Sequence, residues 1–417
     1  MSPSPSSSPA LPATCALVSD PVLTDTTPSP VVWADPARAL AFNTWLAHIA
    51  AAHPIQVASL RLASADASFR RYLRVDCADT ASTNAPPASL IIMDAPPAKE
   101  NCRPFVDVAH LMAKAGLTVP QVLAWDEANG FLLLTDLGHQ TMMQAMHRDS
   151  PHANHATYLQ AVDALIAWQL ASQPGVLPPY DEALLRRELE LFPEWYIARH
   201  RGIKVEGEVR STLDAAFTHI VAQNLAWPSV YVHRDFMPRN LMMDVAPTFG
   251  TDASALPLKG ANFSRGGPQK NSVPPALAAS KCLGILDFQD AVYGPITYDI
   301  ASLMRDAFLT WEEDFVLDIT IRYWQQAKQV GLPVGDDFGE FYRGVEWMGL
   351  QRHLKVAGIF ARLTLRDGKP QYLADTPRFI DYIRATCSRY RELKPLLRLV
   401  DRIEGTAPAT GFAYGRA

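Results

Sequence analysis

Three oxygen-bearing side chains stand at positions where they could act together on a phosphoryl group. Asp235 and Asn240 lie in the run HRDFMPRN after the apolar segment 230–232, and Asp287 follows the apolar segment 283–286. Asp235 could accept the proton of an attacking hydroxyl, and the other two side chains offer the hard oxygens that Mg²⁺ prefers. Metal-assisted phosphoryl transfer needs this combination because it depends on positioning and charge neutralisation. The sequence therefore predicts Asp235 as catalytic base, with Asn240 and Asp287 as magnesium ligands.

The spacing of these residues indicates a catalytic loop rather than a His-Arg-Asp tripeptide that occurs by chance. An isolated His-Arg-Asp would be explained more simply by an aspartate that caps its own loop. The pattern HRDxxxxN adds Asn240 at a distance where both side chains can face one site. Asp287 then supplies a second carboxylate at the end of another apolar segment, so the set indicates a kinase.

Composition limits what else the chain could be. Its 417 residues exceed one typical domain, so two lobes are expected. A net charge of −5 gives no general sign of nucleic-acid binding. Five scattered cysteines without a CxxC or Cys/His cluster favour a reduced, cytoplasmic protein without a zinc site. No apolar run reaches the roughly 20 residues that span a bilayer, and the N-terminus lacks the features of an export signal.

The first part of the chain predicts a disordered tail and a strand-rich lobe. Residues 1–34 are rich in Ser and Pro, which predicts disorder. A helix is expected from Asp35 to about Pro54. The expected elements of the lobe that ends at residue 137 are a hairpin of strands 56–63 and 72–77, a strand 89–93, a helix 105–115, and a hairpin of strands 122–125 and 131–134.

Residues 138–404 predict a larger helical lobe that carries the two catalytic segments. The helices expected from apolar residues at three and four spacing are 158–173, 181–199, 209–223, 300–309, 312–330, 338–363 and 377–399. Residues 247–279, between the catalytic segments, have no period and predict a mobile surface excursion. Residues 405–417 are expected to form a loose tail.

Several phrases of this sequence carry a resemblance to a known family. They are SADASFRRYLRV, IIMDAPP, LLTDLG, LFPEWY, HRDFMPRNLM and GILDFQDAVYGPITYDIASLMRD. Residues from about 35 to 400 resemble the aminoglycoside phosphotransferase and choline kinase group, relatives of the protein kinases. Within it they look like the bacterial cell-wall-recycling kinases that phosphorylate N-acetylmuramate and N-acetylglucosamine at the anomeric hydroxyl. The resemblance implies an α+β, bilobal protein-kinase-like fold: an N-terminal lobe with an antiparallel sheet and a helix, then a larger, mainly helical C-terminal lobe.

The resemblance also implies a nucleotide site for ATP with Mg²⁺. Ser68 and Phe69 would belong to the loop that covers the phosphates, which has no glycine. Thr135, Asp136 and Leu137 would form the hinge between lobes and offer backbone groups to adenine. His233 is expected to support the catalytic loop, and Asp299 to have a structural role.

One departure from the family pattern concerns the phosphates. Related kinases carry a Lys on the third strand that holds them, and the nearest match here places Met93 at that position. Arg71, Arg74 or Lys99 could supply the missing positive charge, although each is explained as simply by a surface position.

For the substrate, the resemblance implies a small amino sugar converted to its α-1-phosphate. Sugar sites favour an aromatic face beside hydrogen-bonding groups, which selects Glu194, Trp195 and Arg239. Trp195 is explained equally well as a core residue. The alternatives are another small-molecule kinase of this fold, acting on an aminoglycoside, choline or homoserine, and a catalytically silent nucleotide-binding protein. No nucleic-acid or membrane partner is expected, and the chain is expected to be a monomer.

Overall fold

In a computed structural model of the protein, the described residues are 31–65, 69–78, 89–243, 245 and 283–406. The chain divides into two compact units, Met1–Asp94 and Ala95–Ala417. The predicted tail at residues 1–30, the excursion at 247–279 and the end of the tail at 407–417 lie outside the described residues.

The first unit consists of one helix and an antiparallel sheet. Helix α1 (Pro36–Ala52) begins where expected, because the Asp35 side chain accepts a hydrogen bond of 2.9 Å from the backbone N–H of Ala37. The strands are β1 (Arg61–Ala65), β2 (Arg71–Asp76) and β3 (Ser89–Asp94). Strand β2 pairs antiparallel with both neighbours. The first strand begins later than predicted, because Val57–Ser59 forms a 3₁₀ turn.

The second unit begins with a helix and a hairpin and is helical for most of its remaining length. Helix α2 is Arg103–Lys114, and strands β4 (Val122–Asp126) and β5 (Phe131–Thr135) pair antiparallel. The helices and strands that follow are α3 (Met142–Ala145), α4 (His155–Leu170), α5 (Glu182–Leu189), α6 (Gly207–Leu225), β6 (Ser229–Val232), β7 (Leu241–Met242), β8 (Gly284–Ile285), β9 (Val292–Pro295), α7 (Thr297–Met304), α8 (Glu313–Gln329), α9 (Phe338–Leu365), α10 (Thr376–Arg389) and α11 (Lys394–Glu404).

Two predicted helices prove to be interrupted. The helix expected over 181–199 is α5 followed by a π-helix, Phe192–His200, in which Pro193 cannot donate the hydrogen bond that would continue an α-helix. The helix expected over 377–399 is α10 and α11, separated at Tyr390, whose backbone is extended.

Helix α9 is the central element of the second unit. It packs against the π-helix, α7, α10 and α6. A Cβ atom on Gly358 would lie 2.4 Å from the backbone of Leu191, so a glycine lets the π-helix approach this closely. None of the helices in the described ranges is long and apolar enough to cross a membrane.

Candidate active site

Two short strand pairs position the catalytic loop. Strands β6 and β9 pair antiparallel with Val232 opposite Val292, and β7 pairs with β8 so that Leu241 faces Ile285. Residues 233–240 connect β6 to β7 and form the loop between the two pairs. The backbone N–H of Leu286 donates to the carbonyl of Asn240 over 2.9 Å. The register of β7 and β8 therefore brings Asn240 beside the segment that carries Asp287.

The three residues predicted to carry the chemistry meet around this loop. The Asn240 amide nitrogen donates to the backbone carbonyl of Asp235 over 2.9 Å and lies 3.5 Å from Asp287 Oδ2. Gln289 Nε2 donates to Asp287 Oδ1 over 2.8 Å. Asp235 and Asn240 are partly exposed and Asp287 is exposed, so all three are accessible to a ligand.

Two residues of the site have left-handed backbone conformations that usually favour glycine. Arg234 has φ of 78° and Asp287 has φ of 63°. Aspartate enters this region more readily than most residues, but a long side chain such as arginine does so at a cost. Packing and hydrogen bonds must therefore hold Arg234 in place.

Asp299, at the start of α7, holds the backbone of the catalytic loop through hydrogen bonds. Its carboxylate is buried and accepts hydrogen bonds from the backbone N–H of His233 over 2.7 Å and of Arg234 over 3.0 Å. Burial raises the pKa of Asp299 to about 7, although these two hydrogen bonds oppose the shift. These contacts support the structural role expected for Asp299.

His233 is a neutral, structural histidine. Its ring Nε2 lies 3.0 Å from the carbonyl of Leu286, so this nitrogen must donate, and Nδ1 accepts from the backbone N–H of Asp235 over 3.2 Å. Burial lowers the pKa of His233 to about 4, which keeps this tautomer at neutral pH. His233 thus connects the start of the Asp235 loop to the segment before Asp287.

A buried ion cluster that the sequence did not reveal holds Arg234. Glu188, on α5, pairs with the guanidinium of Arg234 and lies 3.1 Å from Lys355 Nζ on α9, and it also accepts from the Tyr180 hydroxyl. Arg352 donates to the carbonyl of Arg234. Burial opposes ionisation of Glu188, but the positive charges of Lys355 and Arg234 lower its pKa to about 2.

A signal for Glu188 was present in the sequence. The carboxylate interrupts the apolar face of α5, between the buried Leu185 and Leu189. A charged residue on a buried face needs partners. The sequence does not say that these are Arg234 and Lys355, which are distant along the chain.

Two of the residues predicted to bind sugar, Glu194 and Trp195, lie on the π-helix. Glu194 pairs with Arg199 over 3.2 Å, and the guanidinium of Arg199 lies 3.9 Å from the ring centroid of Trp195, whose side chain is buried. Within the described ranges, no hydrogen bond, ion pair or ring contact joins Glu194 or Trp195 to the catalytic loop. Arg239 does lie in this loop, in the 3₁₀ turn Pro238–Asn240.

The residues of the first unit that are predicted to bind the phosphates differ from one another in exposure and in their partners. Ser68 lies outside the described residues, and Phe69 is 60% exposed. Arg71 shares the buried Asp94 with Arg38, donating to Asp94 Oδ2 over 2.6 Å.

Arg71 has further contacts within the same unit. It donates to the carbonyl of Val32 over 2.8 Å and lies 4.0 Å from the ring centroid of Trp33. Arg74 is partly buried opposite Ile91 in the β2–β3 register.

The position where related kinases carry a Lys faces the interior. Met93 is fully buried on β3, opposite Tyr72, whereas Lys99 is exposed. A lysine at position 93 would have to bury its charge, which the methionine avoids.

The three residues predicted to form the hinge, Thr135, Asp136 and Leu137, lie at the end of β5 and directly after it. Thr135 Oγ1 accepts from the backbone N–H of Gln121 over 2.9 Å, and Asp136 Oδ1 accepts from that of Gly138 over 3.0 Å. Leu137 packs on β8, since a Cβ atom on Gly284 would lie 2.8 Å from Leu137 Cδ1. The hinge segment is therefore in contact with the strand that leads to Asp287.

Comparison with known proteins extends over most of the chain. A family model described as the phosphotransferase enzyme family matches residues 59–250 and 277–335. An N-acetylmuramate/N-acetylglucosamine kinase of Pseudomonas aeruginosa is 45% identical over 352 residues, or 84% of this chain and 90% of the relative. A kinase of the same name from Neisseria meningitidis is 42% identical over 379 residues, or 90% of this chain and 99% of the relative.

Solved structures share the fold at low sequence identity. An ethanolamine kinase of Plasmodium vivax is similar with a TM-score of 0.51 at 10% identity, covering 85% of this chain and 90% of that one. The GDP complex of an aminoglycoside 2′-phosphotransferase gives a TM-score of 0.50 at 14% identity, covering 83% and 97%. These likenesses confirm the expected kinase-like α+β fold. On the sequence match and the arrangement of its catalytic loop, the chain belongs to the phosphotransferase enzyme family.

Proposed function

We propose that this protein uses ATP to phosphorylate the anomeric hydroxyl of N-acetylmuramate and N-acetylglucosamine, a step that returns peptidoglycan sugars to use. The observation that carries the proposal is the 42–45% identity, over nearly the whole chain, to kinases named for these two sugars. Family membership makes the protein a phosphotransferase with an alcohol group as acceptor. The exposure of Asp235, Asn240 and Asp287 is compatible with a working enzyme rather than a silent relative.

Asp235 would act as the general base. It takes the proton from the anomeric hydroxyl as the sugar oxygen bonds to the γ-phosphorus, while the bond from phosphorus to the ADP oxygen breaks. The ring oxygen makes the anomeric hydroxyl more acidic than other sugar hydroxyls, so less proton removal is demanded of Asp235. His233 and Asp299 keep the loop in position during this step.

Asn240 and Asp287 would hold Mg²⁺, which would neutralise the negative charge that develops on the phosphates. The donor set fits this ion, since Mg²⁺ is usually bound by one or two protein side chains together with substrate phosphates. Consistent with that mode, the described ranges contain no cluster of three or more His, Cys, Asp or Glu side chains that could hold a metal.

Two sets of residues are proposed to bind the nucleotide. Thr135, Asp136 and Leu137 would receive adenine, and Ser68, Phe69, Arg71 and Arg74 would approach the phosphates. Of these, Arg71 would have to share its charge with Asp94. A monomer in the cytoplasm, where ATP is available, completes the proposal.

The direct test measures ADP release by the purified protein with each candidate acceptor. Release should be stimulated by N-acetylmuramate and N-acetylglucosamine but not by kanamycin, choline or homoserine. Anomer-resolved phosphorus NMR of the product should then show a sugar 1-phosphate. Release with neither amino sugar would reject the proposal, and release with one of the other acceptors would identify a different small-molecule kinase.

A further inference from the structure

Arg239 places a positive charge at the catalytic loop. It lies between Asp235 and Asn240 in the loop, and its side chain is partly exposed. Its guanidinium carbon lies 4.5 Å from the ring centroid of Phe308. Among the residues that the structure describes, no carboxylate lies within ion-pairing distance of Arg239.

Other arginines close to this region are already engaged. Arg234 pairs with Glu188, and Arg305 lies 3.3 Å from Glu346. Arg352 donates to a backbone carbonyl and lies over the ring of Tyr298. Their charges support the fold, whereas the charge of Arg239 remains available to a ligand.

The two proposed substrates differ by one charged group. N-acetylmuramate is N-acetylglucosamine with a lactyl ether, which ends in a carboxylate. A site that accepts both sugars cannot bury an unpaired cation, because that cation would be left without water or a partner when the neutral sugar binds. Arg239 avoids this cost because water still reaches it, and its planar guanidinium can bind a carboxylate through two hydrogen bonds.

Phe308 gives this arginine a fixed position. The ring lies in the segment between α7 and α8 and packs on Phe360 of α9, with centroids 6.1 Å apart. A guanidinium stacked on such a ring loses less freedom when it binds an anion than an unsupported one would.

We propose that Arg239, held against Phe308, receives the lactyl carboxylate of N-acetylmuramate and so sets the enzyme's preference between its two sugars. This inference rests on the proposed function. A contact of this kind strengthens the binding of the acidic sugar and contributes nothing to the neutral one.

The test compares the two sugars in the variant Arg239→Met. The kcat/KM for N-acetylmuramate should fall about 10- to 100-fold, the loss expected for a charged hydrogen-bonded contact, mostly through a higher KM. The kcat/KM for N-acetylglucosamine should fall much less than that for N-acetylmuramate, and the activity that remains with the neutral sugar shows that the variant folds. Phe308→Leu, which removes the ring, should give a smaller loss in the same direction.

Two further variants make the comparison decisive. Arg343→Met removes another arginine that lies against an aromatic ring, 4.8 Å from the Tyr390 centroid, and should alter activity with neither sugar. Arg239→Lys keeps the charge without the planar group and should give an intermediate loss for the acidic sugar alone. If Arg239→Met loses activity with both sugars, the Arg239→Lys variant still allows the two sugars to be compared.

The outcomes separate this inference from the function on which it rests. Equal losses for both sugars in the Met and Lys variants would overturn it and would indicate a role for Arg239 toward nucleotide or loop. No loss for either sugar would overturn it as well. If the unaltered protein phosphorylates neither sugar, the proposed function fails and this inference fails with it.

Discussion

At the scale of single residues, the side chain proposed to react is partly exposed, whereas the side chains that hold its loop in position are buried. Asp235 is partly exposed on a loop whose backbone is fixed by Asp299 and His233. The buried members have their pKa values shifted by burial, to about 7 for Asp299 and about 4 for His233. Replacing an exposed member should therefore change chemistry, and replacing a buried one should change stability.

We expect Asp235→Asn to lower kcat by about 10²- to 10⁴-fold, because an amide cannot accept the proton of the attacking hydroxyl. Nucleotide affinity, measured by titration with a fluorescent ATP analogue, should change little. Asp290→Asn, which alters a nearby exposed aspartate, serves as the control. Turnover close to that of the unaltered protein would show that Asp235 is not the base.

Acid should destabilise the protein through its buried histidines. Burial, with the nearby charges of Arg305 and Arg352, lowers the pKa of His353 to about 3 from its ordinary value of 6.5. Between these values the unfolded chain binds the proton and the folded chain does not, so the stabilising contribution is complete above pH 6.5 and is lost as pH falls toward 3.

The variant His353→Gln should remove this contribution. Its free energy of unfolding, from urea titrations between pH 6.5 and 4, should depend on pH less steeply than that of the unaltered protein, by up to about 1.4 kcal/mol per pH unit. His48→Gln, at an exposed position of α1, controls for the loss of a histidine. An unchanged slope would mean that His353 is already charged in the folded protein.

At the scale of elements, α5 and α9 support the catalytic loop through charges that are largely buried. Glu188 on α5 faces Lys355 on α9 and Arg234 in the loop. Breaking one member of such a cluster leaves the others buried and unpaired. The helices should therefore influence catalysis without touching a substrate.

The variant Glu188→Gln should lower the free energy of unfolding by about 3–5 kcal/mol, because the buried Lys355 and Arg234 lose their counter-charge. We also expect a lower kcat, since Arg234 is held less firmly. Glu182→Gln changes an exposed glutamate on the same helix that pairs with Arg186, and should cost about 0.5 kcal/mol or less. Equal effects of the two changes in a urea titration would contradict this account.

The elements that could be predicted are those whose signals are local. The helix starting at Pro36, the hairpin of β4 and β5, and the loop between β6 and β7 follow from caps, apolar spacing and a short motif. The π-helix and the break at Tyr390 were missed because apolar spacing continues through both. The Glu188 cluster was missed because its partners are far apart along the chain and only tertiary packing joins them.

At the scale of the whole molecule, the division into Met1–Asp94 and Ala95–Ala417 leaves Asp235, Asn240, Asp287 and the hinge residues in one unit. The core of the proposed site is therefore built from a single unit. Within this unit, the segment 246–282 connects β7 to β8. The ends of the segment are close together, because Met242 pairs with Gly284 and Val245 Cγ2 lies 3.0 Å from the Cβ position of Gly284.

Replacing residues 247–279 by a short Gly-Ser linker should therefore leave the β7–β8 pair intact. A shorter loop should also slightly reduce the entropic cost of bringing the two strands together. We expect the melting temperature and the kcat with both sugars to match those of the full chain. A loss of turnover with an unchanged melting temperature would instead assign the segment a part in the reaction.

The left-handed backbone at Arg234 and Asp287 has a consequence for how such a protein can change over generations. At Asp287, glycine would adopt this conformation without steric cost, but it would remove the carboxylate proposed to hold the metal. At Arg234, glycine would relieve the same backbone cost but would break the ion pair with Glu188, which itself stabilises the protein. Stability and activity therefore favour opposite substitutions at Asp287, and a thermostable lineage would have to gain its stability elsewhere.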